Sequence, residues 1–364
     1  MYQFRVEDKP FIYALSFFSP LFRRWREWID IISPKELFFL SESELINLFS
    51  GSSLIQEFIV FKRRFNWEKE WEKLEKHCIK MVTLWEEDFP PLLKEIKNSP
   101  PLLLYKGSIE GEKFIGIVGT RRPSAYGVKM AESFARELVK YGFVVVSGLA
   151  YGIDTYAHKG AIEGGGKTFA VLGSSLDHIY PSGNLKLAEK IMKSGAIISE
   201  YPLGTRPARY TFPQRNRIIS GICQGILVVE AGEKSGALIT AGFAANEGRD
   251  VFAIPGRLTD EKSIGTNKLI KDGAKMVIDI GDILEEYNIP YEVRKEKDFE
   301  LTEEEKLVLN FLGLEPIFIE DLMKNLNIDL SRLMFIIISL QGKGFVEEYP
   351  GLRYAKKRSV IIDG

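Results

Sequence analysis

Cysteine and histidine are scarce in this chain of 364 residues, which contains two cysteines and three histidines. Cys78 and Cys223 are far apart and neither belongs to a CxxC pair, which excludes a disulfide framework and a cysteine-based zinc site. Asp154 and His158 lie four residues apart, but no third ligand near them has a spacing that suits a metal. We therefore expect a protein of a reducing, cytoplasmic setting that holds no metal.

The chain also lacks an apolar run of the roughly 20 residues that cross a membrane. The nearest candidate, Phe11 to Phe22, is interrupted by Pro20, and the charges before it, from Arg5 to Lys9, are of mixed sign. No small-residue cleavage site follows, so the stretch does not match a signal peptide. It predicts a buried helix of a soluble protein that does not contact membranes.

Acidic residues are absent from the segment Tyr201 to Val229, although the whole chain carries 50 acidic and 49 basic side chains. The segment contains four arginines, namely Arg206, Arg209, Arg215 and Arg217. Because no carboxylate in the segment neutralises them, an anionic partner is expected. Phe212 and Asn216 add an aromatic ring and an amide, a combination that holds phosphates and stacks bases. Four neutralised phosphates of a single strand would give a plot of log K against log salt with a slope of about −3.

The first hundred residues read as helical and contain every tryptophan of the chain, namely Trp25, Trp28, Trp67, Trp71 and Trp85. At helical spacing, Trp67, Trp71, Leu74 and Cys78 form one apolar stripe. We interpret these tryptophans as core rather than as a base-stacking platform. The chain is long enough for several domains, and residues 1–104 are expected to form a small helical domain to which we assign no binding residues.

Short apolar runs alternate with amphipathic segments from residue 105 to 288, which predicts buried strands joined by helices. The runs are 114–118, 143–146, 168–172, 196–198, 226–229, 251–254 and 276–278. Right-handed crossovers between such strands require a mostly parallel sheet covered by helices on both faces. The expected fold class is therefore α/β, with a Rossmann-like core.

Small and hydroxylic residues follow the predicted strands at their carboxyl ends. Examples are Gly119-Thr120-Arg121, Ser147-Gly148 and Glu230-Ala231-Gly232. In an open parallel sheet these ends face one crevice, where helix N-termini offer amide donors to anions. We expect a polar groove there, which Arg121 enters from the first strand and Arg209 to Arg217 enter from a long loop after the fourth.

Two other patterns suggest chemistry that their context does not support. Gly164-Gly165-Gly166-Lys167-Thr168 precedes a strand instead of opening a helix, so it is no nucleotide-triphosphate loop. The first strand lacks GxGxxG, which argues against a dinucleotide cofactor. Ser147, Asp154 and His158 resemble a hydrolase set, but the GxSxG turn is missing. We interpret Asp154 and His158 as a structural hydrogen-bonded pair that ties a helix to the sheet.

The motifs of this region, taken together, resemble those of the bacterial DNA-processing protein A family (DprA, also called Smf). They are Gly119-Thr120-Arg121-Arg122-Pro123, residues 147–154 with His158, Tyr180-Pro181 with Asn184, residues 199–202, 212–219 and 235–241, Pro255-Gly256, and Gly265-Thr266-Asn267. The resemblance implies a non-catalytic protein without cofactor that binds single-stranded DNA in natural transformation. It also implies protection of incoming strands, loading of RecA and homodimerisation through the Rossmann-like domain.

The resemblance places a DNA-binding pocket at Arg121, Ser147, Gly148, Phe212, Arg215, Asn216 and Arg217, with Arg209, Ser235, Gly236, Asn267 and Lys268 as further members. The alternative is a nucleotide-binding or nucleotide-hydrolysing enzyme of the related phosphoribohydrolase-like fold. Such enzymes carry PGGxGTxxE, whereas Pro255-Gly256-Arg257 stops after one glycine. A third hypothesis is a protein that serves only as an interaction scaffold, but it does not explain why the segment Tyr201 to Val229 is basic and free of acidic residues.

The tail has a separate pattern, with a polar linker at 289–300 and a winged-helix-like domain at 301–364. Thr302 and Glu305 form a capping box that opens a helix. Helical segments near 317–326 and 330–341 and a hairpin at 345–355 follow. Because residues 333–338 of the third helix are apolar, we expect this helix to pack internally or against a protein partner rather than to bind duplex DNA. The basic residues Lys356, Lys357 and Arg358 argue for DNA binding instead.

Overall fold

The structure is a computed structural model that describes residues 2–49, 53–291 and 301–356. Residue contacts divide the chain into two compact units, Met1–Val277 and Ile278–Gly364. Most of the predicted linker, residues 292–300, lies outside the described residues, and the predicted domain bounds stay a prediction. In the part of the chain described, no helix combines the length and the apolar character that crossing a membrane requires.

The first unit begins with short helices around an aromatic core. After a 3-10 turn at Val6–Asp8 come α1 (Lys9–Ser16), α2 (Ser19–Arg23), α3 (Trp25–Trp28), α4 (Pro34–Phe39), α5 (Glu42–Leu48), α6 (Ser53–Arg64) and α7 (Trp67–Lys76). Trp25 and Trp28 are buried, and Trp67, Trp71 and Trp85 pack against the same cluster, as predicted. Cys78 is exposed, so its place in the predicted stripe is wrong. The helix ends at Lys76, and Cys78 itself has a φ of 50°.

A central sheet contains nine strands among the described residues. They are β1 (Lys80–Thr83), β2 (Leu102–Gly107), β3 (Lys113–Val118), β4 (Phe143–Ser147), β5 (Thr168–Val171), β6 (Ala196–Ser199), β7 (Gly225–Val228), β8 (Asp250–Ala253) and β9 (Lys275–Met276), in the order β1-β2-β6-β5-β4-β3-β7-β8-β9. In this spatial order, each strand from β6 onward is parallel to the next one, through β5, β4, β3, β7 and β8 to β9. The predicted α/β class is confirmed.

Two strands that the sequence pattern did not indicate extend this sheet. β1 pairs antiparallel with β2, and β2 pairs antiparallel with β6, where Tyr105 lies opposite Ile198. The boundary expected at residue 104 therefore falls inside a strand of the sheet. The N-terminal helices and the sheet share one buried cluster, which runs from Phe11 to Ile197.

Helices cover both faces of the sheet. They are α8 (Pro91–Glu95), α9 (Ala125–Lys140), α10 (Ile153–Glu163), α11 (Leu185–Ser194), α12 (Thr211–Ile222), α13 (Gly236–Asn246) and α14 (Ile264–Lys271). Ile218 and Ile222 of α12 pack with Val146 and Val228 on one face. Ala188 of α11 packs with Ile197, whose side chain points to the opposite face from its neighbour Ile198.

The second unit contains α15 (Gly281–Glu286) and a small α/β assembly. Its elements are α16 (Glu303–Phe311), β10 (Ile317–Phe318), α17 (Ile319–Leu326), α18 (Leu330–Gly342), β11 (Val346–Tyr349) and β12 (Arg353–Lys356), with the strand order β10-β12-β11. The predicted capping box is present, since Thr302 accepts from the Glu305 amide and Glu305 accepts from the Thr302 amide. This order of elements is that of a winged helix; Lys357 and Arg358 lie outside the described residues.

Candidate nucleic-acid interface

A groove of about 650 Å³ opens at the carboxyl ends of the parallel strands. Its walls come from the residues after β3 (119–121), the start of α12 with the loop before it (209–216), and the loop between β7 and α13 (232–237). The volume is in the range of ligand-binding pockets. Asp154 is the sole acid among the described residues that line it. The predicted groove at the strand ends is thus present.

Arg121 and Phe212 face each other in this groove. The guanidinium carbon of Arg121 lies 5.4 Å from the centre of the Phe212 ring, within the distance at which a cation is attracted to an aromatic face. Arg121 is exposed, and the Tyr180 ring lies 5.8 Å from Phe212 on a neighbouring loop. The site therefore offers a free cation next to an aromatic surface.

Arg215 is buried beneath the groove, with 4% of its surface exposed. Its Nη1 donates 2.7 Å to the Gly148 carbonyl and also donates to the Val171 carbonyl. A Cβ at position 148 would lie 2.3 Å from the same nitrogen, so glycine is required there. Burial lowers the pKa of Arg215 to about 10, and the side chain stays charged at neutral pH. It holds two strand ends together and adds positive potential from below.

Asp154 and His158 do not form the hydrogen bond that the sequence suggested, so that interpretation is wrong. Asp154 accepts from the backbone amides of Gly148 and Ala150 at 3.1 and 3.4 Å, and burial raises its pKa. His158 Nδ1 bonds instead to Thr168 Oγ1 at 2.7 Å. Burial, with Arg215 nearby, lowers the His158 pKa to about 3. Each residue ties α10 to a strand end, but separately.

Several predicted site residues do not line the groove, Ser147 and Arg217 among them. Ser147 is fully buried, and its hydroxyl donates 2.7 Å to the Ile117 carbonyl in the neighbouring strand. Arg217 bonds to the Asn98 carbonyl at 2.6 Å and pairs with Glu200. The expected loop from 209 to 217 is in fact helical from Thr211. Arg215 and Arg217 are two helix positions apart, about 200° around the axis, and cannot face the same way.

The other predicted residues divide into two groups. Arg209, Asn216, Ser235 and Gly236 line the groove; Asn216 Nδ2 donates to the Gly236 carbonyl at 3.4 Å, and Ser235 caps α13. Asn267 and Lys268 do not line it. Asn267 accepts from the Gly256 amide at 3.2 Å and donates to its carbonyl at 3.0 Å, so its amide group stabilises a loop.

Sequence reasoning missed Lys234 and the role of Glu230. Lys234 is exposed in the groove between Gly232 and Ser235; its place just past a strand end was the available signal. Glu230 accepts from the Ser124 amide at 2.9 Å and from the Ser124 hydroxyl. Its carboxylate thereby occupies the N-terminus of α9, where nucleotide-binding Rossmann domains hold pyrophosphate. Within the described ranges, no group of three histidine, cysteine or acidic side chains could hold a metal ion.

The fold and the groove define a class, that of doubly wound α/β proteins with an anion-attracting crevice at the strand ends. The family model of DNA recombination-mediator protein A matches residues 80–288. The chain belongs to this family, which confirms the resemblance seen in the sequence.

The similar proteins agree with this membership. DNA processing protein DprA of Bacillus subtilis is 44% identical over 212 residues, which are 57% of this chain and 71% of that protein. DprA of Streptococcus pneumoniae is 44% identical over 221 residues, or 60% and 76% of the two chains. Its X-ray structure covers 80% of this chain and all of its own, with a TM-score of 0.65 and 34% identity.

A structure of DNA processing protein A from Helicobacter pylori, which describes a single-stranded DNA binding mode of that protein, is also similar. The TM-score is 0.53 at 31% identity, and the match covers 58% of this chain and 95% of the other.

Proposed function

We propose that the groove binds single-stranded DNA, holding its phosphates with Arg121, Arg209 and Lys234 and stacking a base on Phe212. The observation that carries this proposal is the pairing of an exposed guanidinium with an aromatic face, 5.4 Å apart, in a groove lined by a single acid. Phosphate contacts carry no sequence information, and every base has a face that stacks. Binding is therefore independent of sequence.

The biological role follows that of the family. The protein protects incoming single strands in natural transformation and loads RecA onto them, without catalysis, as a homodimer in the cytoplasm. The family membership supports this role.

A nucleotide-hydrolysing enzyme is less well supported by the same site. Hydrolysis of a glycosidic bond commonly uses two carboxyl groups on opposite sides of the bond. In this groove the Asp154 carboxylate already accepts two backbone amides. Glu230 caps α9 and is absent from the groove lining. The site lacks a second acid among its described lining residues.

A salt titration tests the proposal. Arg121, Arg209 and Lys234 are the exposed cations of the groove, because Arg215 is buried and Arg217 is paired. Three neutralised phosphates predict a plot of log K against log salt with a slope of about −2 for a single strand. This is shallower than the value of about −3 that four free arginines would give.

Arg121→Ala should weaken binding to all single-stranded sequences alike and make the slope shallower by about 0.7. Arg122→Ala is the matched control, since Arg122 is the next residue and exposed but does not line the groove. Fluorescence anisotropy with several oligonucleotides measures both. A slope near zero, or tight binding of a mononucleotide with release of free base, would overturn the proposal.

A further inference from the structure

A second, smaller cleft adjoins the groove at the ends of β4 and β5. It shares Arg121, Ala150, Tyr180, Phe212 and Arg215 with the groove, and its remaining lining residues are Gly148, Tyr151 and Pro181. None of these described lining residues is acidic, so the cleft combines two arginines with three aromatic rings. Its volume of about 20 Å³ leaves room for about one water molecule. A base cannot enter it and could only lie across its mouth.

Two tyrosine rings stand at that mouth. Tyr151, in the loop between β4 and α10, is 50% exposed, and Tyr180, in the loop between β5 and α11, is 46% exposed. Single exposed aromatic residues are common and mean little. Here the two rings flank one acid-free cleft, and Tyr180 lies 5.8 Å from Phe212. The aromatic surface of the groove thus continues past its edge.

The two loops are fixed to each other. Asn184 Nδ2 donates 2.9 Å to the Leu149 carbonyl and 2.9 Å to Thr155 Oγ1, which joins the loop of Tyr180 to the loop of Tyr151. The Tyr151 ring also packs closely on Gly183, where an added Cβ would lie 2.6 Å from the Tyr151 hydroxyl. The rings are therefore held in place before a ligand arrives, which lowers the entropic cost of stacking a base on them.

We propose that Tyr151 and Tyr180 form a second base-binding site. The strand leaves the groove between the two loops that carry these residues, and its nucleotides stack their bases on the two rings there. The inference rests on the proposed function of the groove. Arg121, which lines both spaces, holds the phosphate between a base on Phe212 and the next base on Tyr180. The ligand is single-stranded nucleic acid of any sequence, since stacking tolerates every base.

The test compares Tyr151→Ala, Tyr180→Ala and the double variant with wild type on oligothymidylates of about 4 to about 16 nucleotides. The alanine variants should bind long strands at least about fivefold more weakly. Tyr151→Ala should bind strands that fill only the groove as wild type does, because Tyr151 lines the cleft but not the groove. The salt slope should not change, because the rings contact no phosphate. Tyr→Phe variants keep the ring and should bind like wild type. Tyr126→Ala, which changes an exposed tyrosine outside both spaces, is the control.

A second measurement needs no variant. Abasic positions placed one at a time along a long strand keep the phosphates and remove the stacking, and at least two neighbouring positions should each weaken binding to wild type. If the alanine variants bind long strands as tightly as wild type and no more than one abasic position weakens binding, while Arg121→Ala weakens it, the second site is wrong and the groove stands. If wild type binds no strand of any length, the proposed function itself fails.

Discussion

Arg215 and Arg217, two arginines of α12, have different structural roles. Arg215 points under the groove, where its hydrogen bonds to two backbone carbonyls offset the free-energy cost of burying its charge. Arg217 points away and joins α12 to Glu200 and to Asn98. The side chains of Arg217 and Glu200 are only 16% and 11% exposed, so this pair is shielded from water and salt in a way that surface pairs are not. We therefore expect this pair to contribute to stability rather than to DNA affinity.

Arg217→Ala should lower the free energy of unfolding by about 1–3 kcal/mol, because it leaves the Glu200 carboxylate poorly solvated and without its charged partner. The affinity for single strands should change less than twofold under conditions where the variant is folded. Urea unfolding and anisotropy measure the two quantities. Arg206→Ala, at an exposed position outside the groove lining, serves as the control. A variant of unchanged stability but weaker binding would return Arg217 to the DNA site.

For single residues, the sequence predicted which residue types occur near the site better than it predicted the directions in which their side chains point. Arg121 and Gly148 could be found because they follow the carboxyl ends of predicted strands, and Phe212 because it lies in the acid-free arginine segment. Arg217 could not be excluded, since reading 209–217 as a loop removed the helical periodicity that separates it from Arg215. Ser147 is the last residue of β4, and only the register with β3 shows that its hydroxyl meets a carbonyl inside the sheet.

The helix after β3 shows how one element excludes a ligand class. In nucleotide-binding Rossmann domains the N-terminus of this helix is open to phosphate. Here the Glu230 carboxylate takes that place, and Gly127 leaves the room for it, since an added Cβ would lie 2.3 Å from a Glu230 oxygen. The anion that α9 requires is supplied by the chain itself. On the proposed function, the walls of the groove and not this terminus would therefore hold the phosphates.

Glu230→Ala should lower the free energy of unfolding by about 1–2 kcal/mol, because the Ser124 amide and the helix dipole of α9 lose their partner. Thermal or urea unfolding checks this. Glu233→Ala, three residues further on at an exposed position, should change stability by less than about 0.5 kcal/mol. Equal effects of the two substitutions would show that Glu230 does not stabilise α9.

Among the elements, the parallel strands were predicted and the two antiparallel ones were missed, although β2 begins with the buried apolar run Leu102-Leu103-Leu104. The strands from β3 to β8 are continuous apolar runs, which a sheet covered on both faces demands. β1 begins with an exposed lysine, Lys80, and shows no such run. Its strand character comes from pairing with β2, which in turn pairs with β6 some 90 residues away in sequence. Such non-local pairing leaves little trace in a short window of sequence.

At the scale of the whole molecule, the winged-helix-like assembly differs in charge from the groove. The described part of the winged-helix-like assembly, residues 301–356, carries nine acidic and six basic side chains. On α18, which takes the place of a DNA-reading helix, Phe335 and Ile338 are 66% and 59% exposed. The arginine of this helix, Arg332, is bonded to Glu304 at 3.0 Å. We therefore expect this surface to disfavour phosphates and to suit an apolar partner.

A chain that ends after Tyr291 should therefore bind single strands within about twofold of the full-length protein and with the same salt slope, since the phosphate contacts lie in the groove. Anisotropy titrations at three or more salt concentrations measure both quantities, and circular dichroism checks that the shortened protein is folded. If the slope instead becomes shallower by 0.7 or more, at least one cation beyond Tyr291 neutralises a phosphate. Lys356→Ala, Lys357→Ala and Arg358→Ala in the full-length chain would then identify it, and the preference for a protein partner at α18 would be wrong.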